Sequence, residues 1–235
     1  MTETSTDTWD VHVMEFARSR QQRMAGLIHG APLDEVHDLP FSFVLARRAD
    51  WIVLCDTGFM REGTGEAMSI KFDVPYWISP LRLLAEMGVG PNDVTDIVLS
   101  HAHFDHMGSI GKFPKARLHI QKREILSWHE AMALPPAFGF LTEIINPDDL
   151  RSAFDAAVEH RLNLVDGDVD DLLPGVHVRL GEATPWASSS LSSRRGAVTS
   201  SCRAIASIRA ATSAATTKVA SMCRSPMQSG PPGTS

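Results

Sequence analysis

The sequence predicts an α/β domain, and three observations carry that expectation. Two runs rich in β-branched and aromatic residues, Phe41 to Arg47 and Trp51 to Asp56, flank the polar Arg48-Ala49-Asp50 and read as a hairpin. Ser79 to Met87 sets Leu81, Leu84 and Met87 at helical spacing and ends at Gly88 and Gly90, which predicts an amphipathic helix stopped by glycine. Asp96 to Ser100 then carries Ile97-Val98-Leu99, a short buried strand.

The remaining elements fall in order around these. Val11 to Glu15 is a further strand, and the hairpin leaves through Asp56-Thr57-Gly58, a tight turn that can aim a carboxylate inward. After the short strand comes His101-Ala102-His103-Phe104-Asp105-His106, then a loop from Gly108 to Pro114, a strand from Ala116 to Ile120 and a helix from Lys122 to Met132 that Pro135-Pro136 breaks. Ala137 to Glu159 mixes aromatics with helix signals, including a start at Asn146-Pro147-Asp148-Asp149, and reads as a cover over the site. Pro174-Gly175 introduces a last strand, His177 to Leu180.

With 235 residues and 43% hydrophobic content, the chain can bury one core of moderate size. No stretch has the length of a membrane span, and Met1 to Glu15 lacks the apolar centre of a secretion signal, so a cytoplasmic protein is expected. Cys55, Cys202 and Cys223 lie far apart without a CxxC pair, which argues against a disulfide framework and a thiolate zinc knot. Any metal must be held by His and Asp.

The net charge of −6 is unevenly spread: all 28 acidic residues lie at or before Glu182, so that part carries about −12 and the remainder about +6. An acidic body argues against nucleic acid as a partner, and nothing calls for a membrane.

Three His and one Asp within six residues are the strongest chemical signal. In an extended segment His101 and His103 point to the same side and can share one metal, while Asp105 and His106 follow at the turn and face a second position nearby. Water between two metals about 3.5–4 Å apart ionises near neutral pH and can attack a carbonyl. Phe104, between ligands, turns the other way into the core. His119, His129, His160 and His177 sit in no such pattern and read as structural. Tyr76 and Trp77 read as packing, Cys55 as a small buried hydrophobe, and the polar run Asp166 to Asp171, which lacks EF-hand spacing, as a solvated turn.

HxHxDH after a short apolar strand, with an upstream Asp56-Thr57-Gly58, resembles the metallo-β-lactamase superfamily over about Val11 to Pro185. The resemblance implies an αββα sandwich with two metals at one edge. It implies His101 and His103 on the first metal, Asp105 and His106 on the second, and Asp56 supporting these ligands from behind. Asp105 is also the candidate catalytic residue; substrate-binding residues are not assigned. Two zinc ions are the implied cofactors, although His and Asp suit Fe and Mn as well. Ser100 to Gly108 together with Leu118 to Glu124 is most similar to the branch that opens N-acyl homoserine lactones. A small ester or lactone is thus the expected partner and a bridging hydroxide the expected nucleophile. Other esters, thioesters and β-lactams remain as alternatives, as does a catalytically impaired binding module.

The family pattern also needs a His after Thr-Pro-Gly, a bridging Asp and a last His. Here Thr184-Pro185 is followed by Trp186-Ala187-Ser188-Ser189-Ser190, with no His after His177 and no Asp after Asp171. Trp is encoded only by TGG, and TGG GCA TCA TCA shifted by one base begins GGG CAT CAT, or Gly-His-His. From Ala187 to Ser235 there is no Asp, Glu, His, Phe, Tyr or Trp. The expected organisation is therefore an incomplete metallo-β-lactamase-like domain over 1–186 and an Ala/Ser/Arg-rich tail over 187–235, disordered or out of frame. An authentic divergent tail is the alternative.

Overall fold

The computed structural model describes residues 8–28, 30–181 and 203–208, the last as backbone. The strands are β1 (Asp10–Arg23), β2 (Val36–Arg48), β3 (Trp51–Cys55), β4 (Tyr76–Trp77), β5 (Asp96–Val98), β6 (Arg117–Gln121), β7 (Leu162–Val165), β8 (Val169–Leu173), β9 (Val176–Gly181) and β10 (Arg203–Ile208). The α-helices are α1 (Thr64–Lys71), α2 (Pro80–Glu86), α3 (Phe104–Met107), α4 (Lys122–Met132) and α5 (Pro147–Val158). One sheet runs β4-β1-β2-β3-β5-β6-β7 and a second runs β10-β9-β8.

The first sheet changes character midway. β1, β2 and β3 pair antiparallel, with Arg48 opposite Trp51 across the tight turn Ala49-Asp50. From β3 onward the pairs β3–β5, β5–β6 and β6–β7 are parallel. A parallel pair cannot be joined by a hairpin, so the chain between β3 and β5 crosses over through α1, β4 and α2. The carboxyl ends of β3 and β5 thereby lie side by side, where open α/β sheets leave room for a ligand.

Alternation of side chains assigns the two faces. Leu45, Leu54, Ile97, Leu118 and Ile120 enter the larger apolar cluster, which also takes in Met68 of α1, Leu83 and Leu84 of α2, Phe104 and Met107 of α3, Ile125 of α4 and Leu150 of α5. Their neighbours Ala46, Val53 and Val98 enter a second cluster with Leu173, Val176 and Val178 from the smaller sheet. Helices, sheet and sheet therefore stack as layers, with both faces of the central strands buried. This is the α/β sandwich the sequence predicts; among the described residues all five helices serve the same face.

Some elements differ from expectation. β1 runs to Arg23, well beyond Glu15, and α1, β4, β7 and β8 have no counterpart in the sequence reading. In α1 the apolar residues do not line one face and Gly65 interrupts them, so periodicity is silent there. The polar run Asp166 to Asp171 is a turn only at its start, since Val169–Leu173 is strand β8. Across from it on β9, Arg179 binds Asp170 and His177 stands 3.3 Å from the same carboxylate. Cross-strand charge pairing thus replaces the solvated turn. Of the segment 187–235 only Arg203–Ile208 is described, as a strand antiparallel to β9; the disordered or out-of-frame reading of the rest, and the Thr184-Pro185-Trp186 junction, lie outside the described residues.

Phe16 is fully buried, with the rings of Phe59, Phe41 and Phe43 centred 5.3, 6.2 and 6.2 Å away. Phe16→Ala is expected to destabilise the fold by about 3–5 kcal/mol through the cavity it leaves. Urea unfolding measures this, and a loss below about 1 kcal/mol contradicts the packing described.

Candidate metal centre

β3 ends at Cys55, and Asp56 takes a left-handed conformation with φ 62°, which a short acidic side chain tolerates. That turn swings its carboxylate across to the end of β5. Asp56 Oδ1 accepts the Ser100 amide at 2.8 Å, and Oδ2 accepts the Ser100 hydroxyl at 2.8 Å and lies 2.7 Å from His106 Nδ1. One side chain joins the end of β3, the loop after β5 and helix α3.

The next two residues of the turn serve the same bracket. Thr57 donates its amide and hydroxyl to the His106 carbonyl at 2.7 and 3.0 Å, and its Oγ1 accepts the Ser109 amide at 3.2 Å. Gly58 has φ 70°, and a Cβ there would meet Pro80 Cγ at 2.9 Å and the Phe16 ring at 3.0 Å. Only glycine fits both demands. Gly108 is equally confined, because its Cβ would stand 2.0 Å from the Phe104 carbonyl and 2.9 Å from Phe59 Cβ.

Held this way, the predicted ligands come together. The His101 ring lies 4.3 Å from that of His103 and 3.9 Å from that of His106, centre to centre. His101 Nδ1 is 2.9 Å from the Ser100 hydroxyl. With the Ser100 proton directed to Asp56, its oxygen accepts from His101, and both His101 and His106 are gripped by Nδ1. Asp105 Oδ2 lies 3.3 Å from His106 Nε2. Phe104 is buried against Phe59, ring centres 5.1 Å apart.

The donor chemistry, three imidazoles and a carboxylate, suits a divalent ion. Two ligands each about 2.0–2.1 Å from one tetrahedral ion stand roughly 3.3 Å apart, the spacing of Asp105 Oδ2 and His106 Nε2. Among the described residues, however, no group of three or more His, Cys, Asp or Glu side chains is gathered to hold a metal ion. The residues fit the expected ions as pairs of donors and not as complete sets.

Electrostatics here favour a positive charge on His106. Burial opposes charging the His106 ring, but the charge and hydrogen bond of Asp105, followed by those of Asp56, overcome it and push the His106 pKa up to about 10. Burial likewise works against the Asp105 carboxylate, yet the His106 charge and hydrogen bond, with His103 beyond, hold it below the usual carboxylate range. Cys55 takes no part: burial first, and then the Asp56 charge, push its thiol up to about 12.

The other histidines have structural partners. His119 is buried between Asp96, 2.8 Å from its Nε2, and Asn163, 3.0 Å from its Nδ1. His129 Nδ1 reaches the Ile125 carbonyl, and His160 follows α5 at φ 60°. Trp77 donates to the Phe59 carbonyl at 3.2 Å. The sequence motifs include Ser100 and Thr57 but assign no role to their hydroxyls, because a lone hydroxyl carries no spacing signal.

A cavity of about 410 Å³ adjoins α3 and is lined by Phe59, Thr64, Phe104, Ser109, Asn146 and Asp149, among others; none of the four candidate ligands lines it. Among its lining residues, Asp149 Oδ2 and Ser109 Oγ are buried without a hydrogen-bond partner.

The chain belongs to the metallo-beta-lactamase superfamily, whose pattern matches residues 39–183. It is similar to the N-acyl homoserine lactonase AttM of Azorhizobium caulinodans, 35% identical over 79 residues that cover 33% of this chain and 25% of that one. It is also similar to the N-acyl homoserine lactonase AiiB of Agrobacterium fabrum, 38% identical over 90 residues, 34% of this chain and 32% of the relative. The matched segments thus span a quarter to a third of these relatives. The fold is that of a quorum-quenching N-acyl homoserine lactone lactonase, with a TM-score of 0.58 at 17% identity over 84% of this chain and 67% of that one.

Asp149 gives the fold a pH dependence. Burial first, against a hydrogen bond from Asn146, raises its pKa from 3.8 to about 7. The folded state then holds the proton more tightly than the unfolded chain, so stability falls as pH rises from about 4 to about 7 and stays low above that. Asp149→Asn is expected to remove this loss, on the order of 4 kcal/mol at most, and to melt higher than the parent at pH 8. Melting curves at pH 5 and pH 8 check this; equal gains at both pH values contradict it.

Proposed function

We propose that the chain carries the metal-loop half of a hydrolase that opens a lactone of the N-acyl homoserine lactone kind. The observation that carries this reading is the gathering of His101, His103, Asp105 and His106 at the carboxyl ends of β3 and β5 under the grip of Asp56. The likeness to AttM and AiiB supports the substrate class. His101 and His103 would hold one divalent ion, zinc by preference, and Asp105 and His106 the other. When bound, such ions lower the pKa of water and polarise an ester carbonyl. Asp56 would keep His106 turned with Nε2 toward the ion, and Ser100 would do the same for His101. Phe104 closes the floor of the site against the core.

Two donors per ion leave affinity short of a closed site, and we read the chain as metal-poor and weakly active. The absence of a third converging donor among the described residues favours, as a second reading, an impaired module that binds without turnover. We attribute the missing donors to a one-base slip near Pro185; the gene's other frames downstream are expected to encode a His, an Asp and a further His, and their absence overturns this attribution.

Metal analysis and a substrate panel test the function. The purified chain is expected to retain at most one tightly bound zinc. It should open an N-acyl homoserine lactone slowly, in preference to a thioester or a β-lactam. Asp105→Asn is expected to lower that rate at least about 100-fold. Two tight zinc ions per chain would refute the half-site reading, and lactone opening indifferent to Asp105→Asn would refute the assigned chemistry.

A further inference from the structure

Alternate backbone amides of the metal loop are tied from three directions. Ser100 donates to Asp56 Oδ1 at 2.8 Å, Ala102 to Glu124 Oε1 at 3.0 Å, and Phe104 to the Ile144 carbonyl at 3.0 Å. The residues between these anchors, His101 and His103, are candidate ligands, and Asp105 follows the last anchor. Of the three acceptors, Glu124 is the one that neither the upstream turn nor the covering segment supplies. It lies in the first turn of α4, where an acidic side chain is favoured by the helix dipole and ordinarily faces solvent. Here it is fully buried.

The same oxygen, Glu124 Oε1, also accepts the Trp128 indole N–H at 2.7 Å. The indole ring in turn meets the His103 ring at 64°, centres 5.9 Å apart. One carboxylate therefore reaches His103 by two routes, through the amide of the residue before it and through the ring beside it. Burying a carboxylate is costly unless its hydrogen bonds are supplied, and here Oε1 receives two.

We propose that Glu124 is a positioning residue for the metal loop: by holding the Ala102 amide and the Trp128 indole together, it sets the spacing and ring orientation of His101 and His103 for a shared divalent ion. This rests on the metal-site reading above and adds to it a residue outside the HxHxDH segment. It also gives the helix-start Glu124 a role different from capping. Outer partners of metal ligands carry about 10- to 100-fold in affinity, and Glu124 belongs to that range.

The test uses the full chain, with Co²⁺ as the probe and its visible absorption as the readout. Glu124→Met preserves the buried volume and removes the acceptor. It is expected to weaken Co²⁺ binding by roughly 10- to 100-fold and to alter the cobalt spectrum. Glu124→Gln keeps an oxygen that can accept both bonds and should stay within about threefold of the parent. Ile125→Ala, a buried neighbour on the same helix, is the control: it should lower the melting temperature without moving Co²⁺ affinity. Cobalt binding unchanged in Glu124→Met, or weakened equally in Ile125→Ala, overturns the proposal. Should Glu124→Met fail to fold, Trp128→Phe removes one of the two donors and is expected to cost about threefold or more in affinity; no change there overturns the proposal too.

Hydrogen exchange at the Ala102 amide in the metal-free chain is the independent measure. It should quicken at least about tenfold in Glu124→Met and not in Ile125→Ala. If the parent takes up no cobalt, the metal-site reading fails, and Ala102 exchange then decides the positioning claim alone: acceleration upholds it and unchanged exchange ends it.

Discussion

The Asp56 carboxylate is the junction through which the site and the sheet depend on one another. It leaves β3 in a left-handed turn, accepts both the amide and the hydroxyl of Ser100 beyond β5, and fixes His106 on α3. Each of these groups belongs to a different element, so the bonds hold only when β3 and β5 pair in their observed parallel register. Conversely, the loop after β5 has no sheet partner at Ser100, and its part-buried amide would lose its acceptor if Asp56 were elsewhere. Thr57 and Gly58 complete the bracket by clasping the His106 carbonyl and by admitting Phe16 and Pro80 to close contact.

This arrangement is possible because the central strands are buried on both faces. Leu54 and Ile97 pack toward the helices while Val53 and Val98 pack toward the smaller sheet. Such strands cannot slide by one residue without exchanging the two apolar layers, and their ends are therefore fixed relative to each other. A site made of side chains from strand ends gains rigidity from that fixity. The helical layer adds the third support, since Glu124 and Ile144 reach the loop from α4 and from the segment before α5.

The corner that results is acidic and accepts positive charge readily. Asp56 and Asp105 flank His106 and raise its affinity for a proton, which a metal ion at Nε2 would have to displace. Among the described residues no three donors converge, so the corner gathers candidate ligands without a complete set.

Much of the candidate site was legible in the sequence because its candidate ligands are local. Three His and an Asp within six residues need no tertiary knowledge to be noticed, and the hairpin, α2, β5, β6, α4 and β9 follow from periodicity and glycine or proline stops. What the sequence could not yield are the relations that join distant segments. Ser100 and Thr57 are single hydroxyls, and Glu124 resembles an ordinary acidic residue at a helix start; each acquires its role from a partner across the fold, at separations of 44, 49 and 22 residues. Strand β8 is obscured in the sequence by its acidic residues, whereas in the fold Asp170 faces Arg179 and His177 on β9. The sequence by itself determined the candidate ligand types, their order and the α/β class, because these are encoded in spacing along the chain. Tertiary structure alone decided which groups brace those ligands, because a buried hydrogen bond is defined by two partners that only the fold brings together.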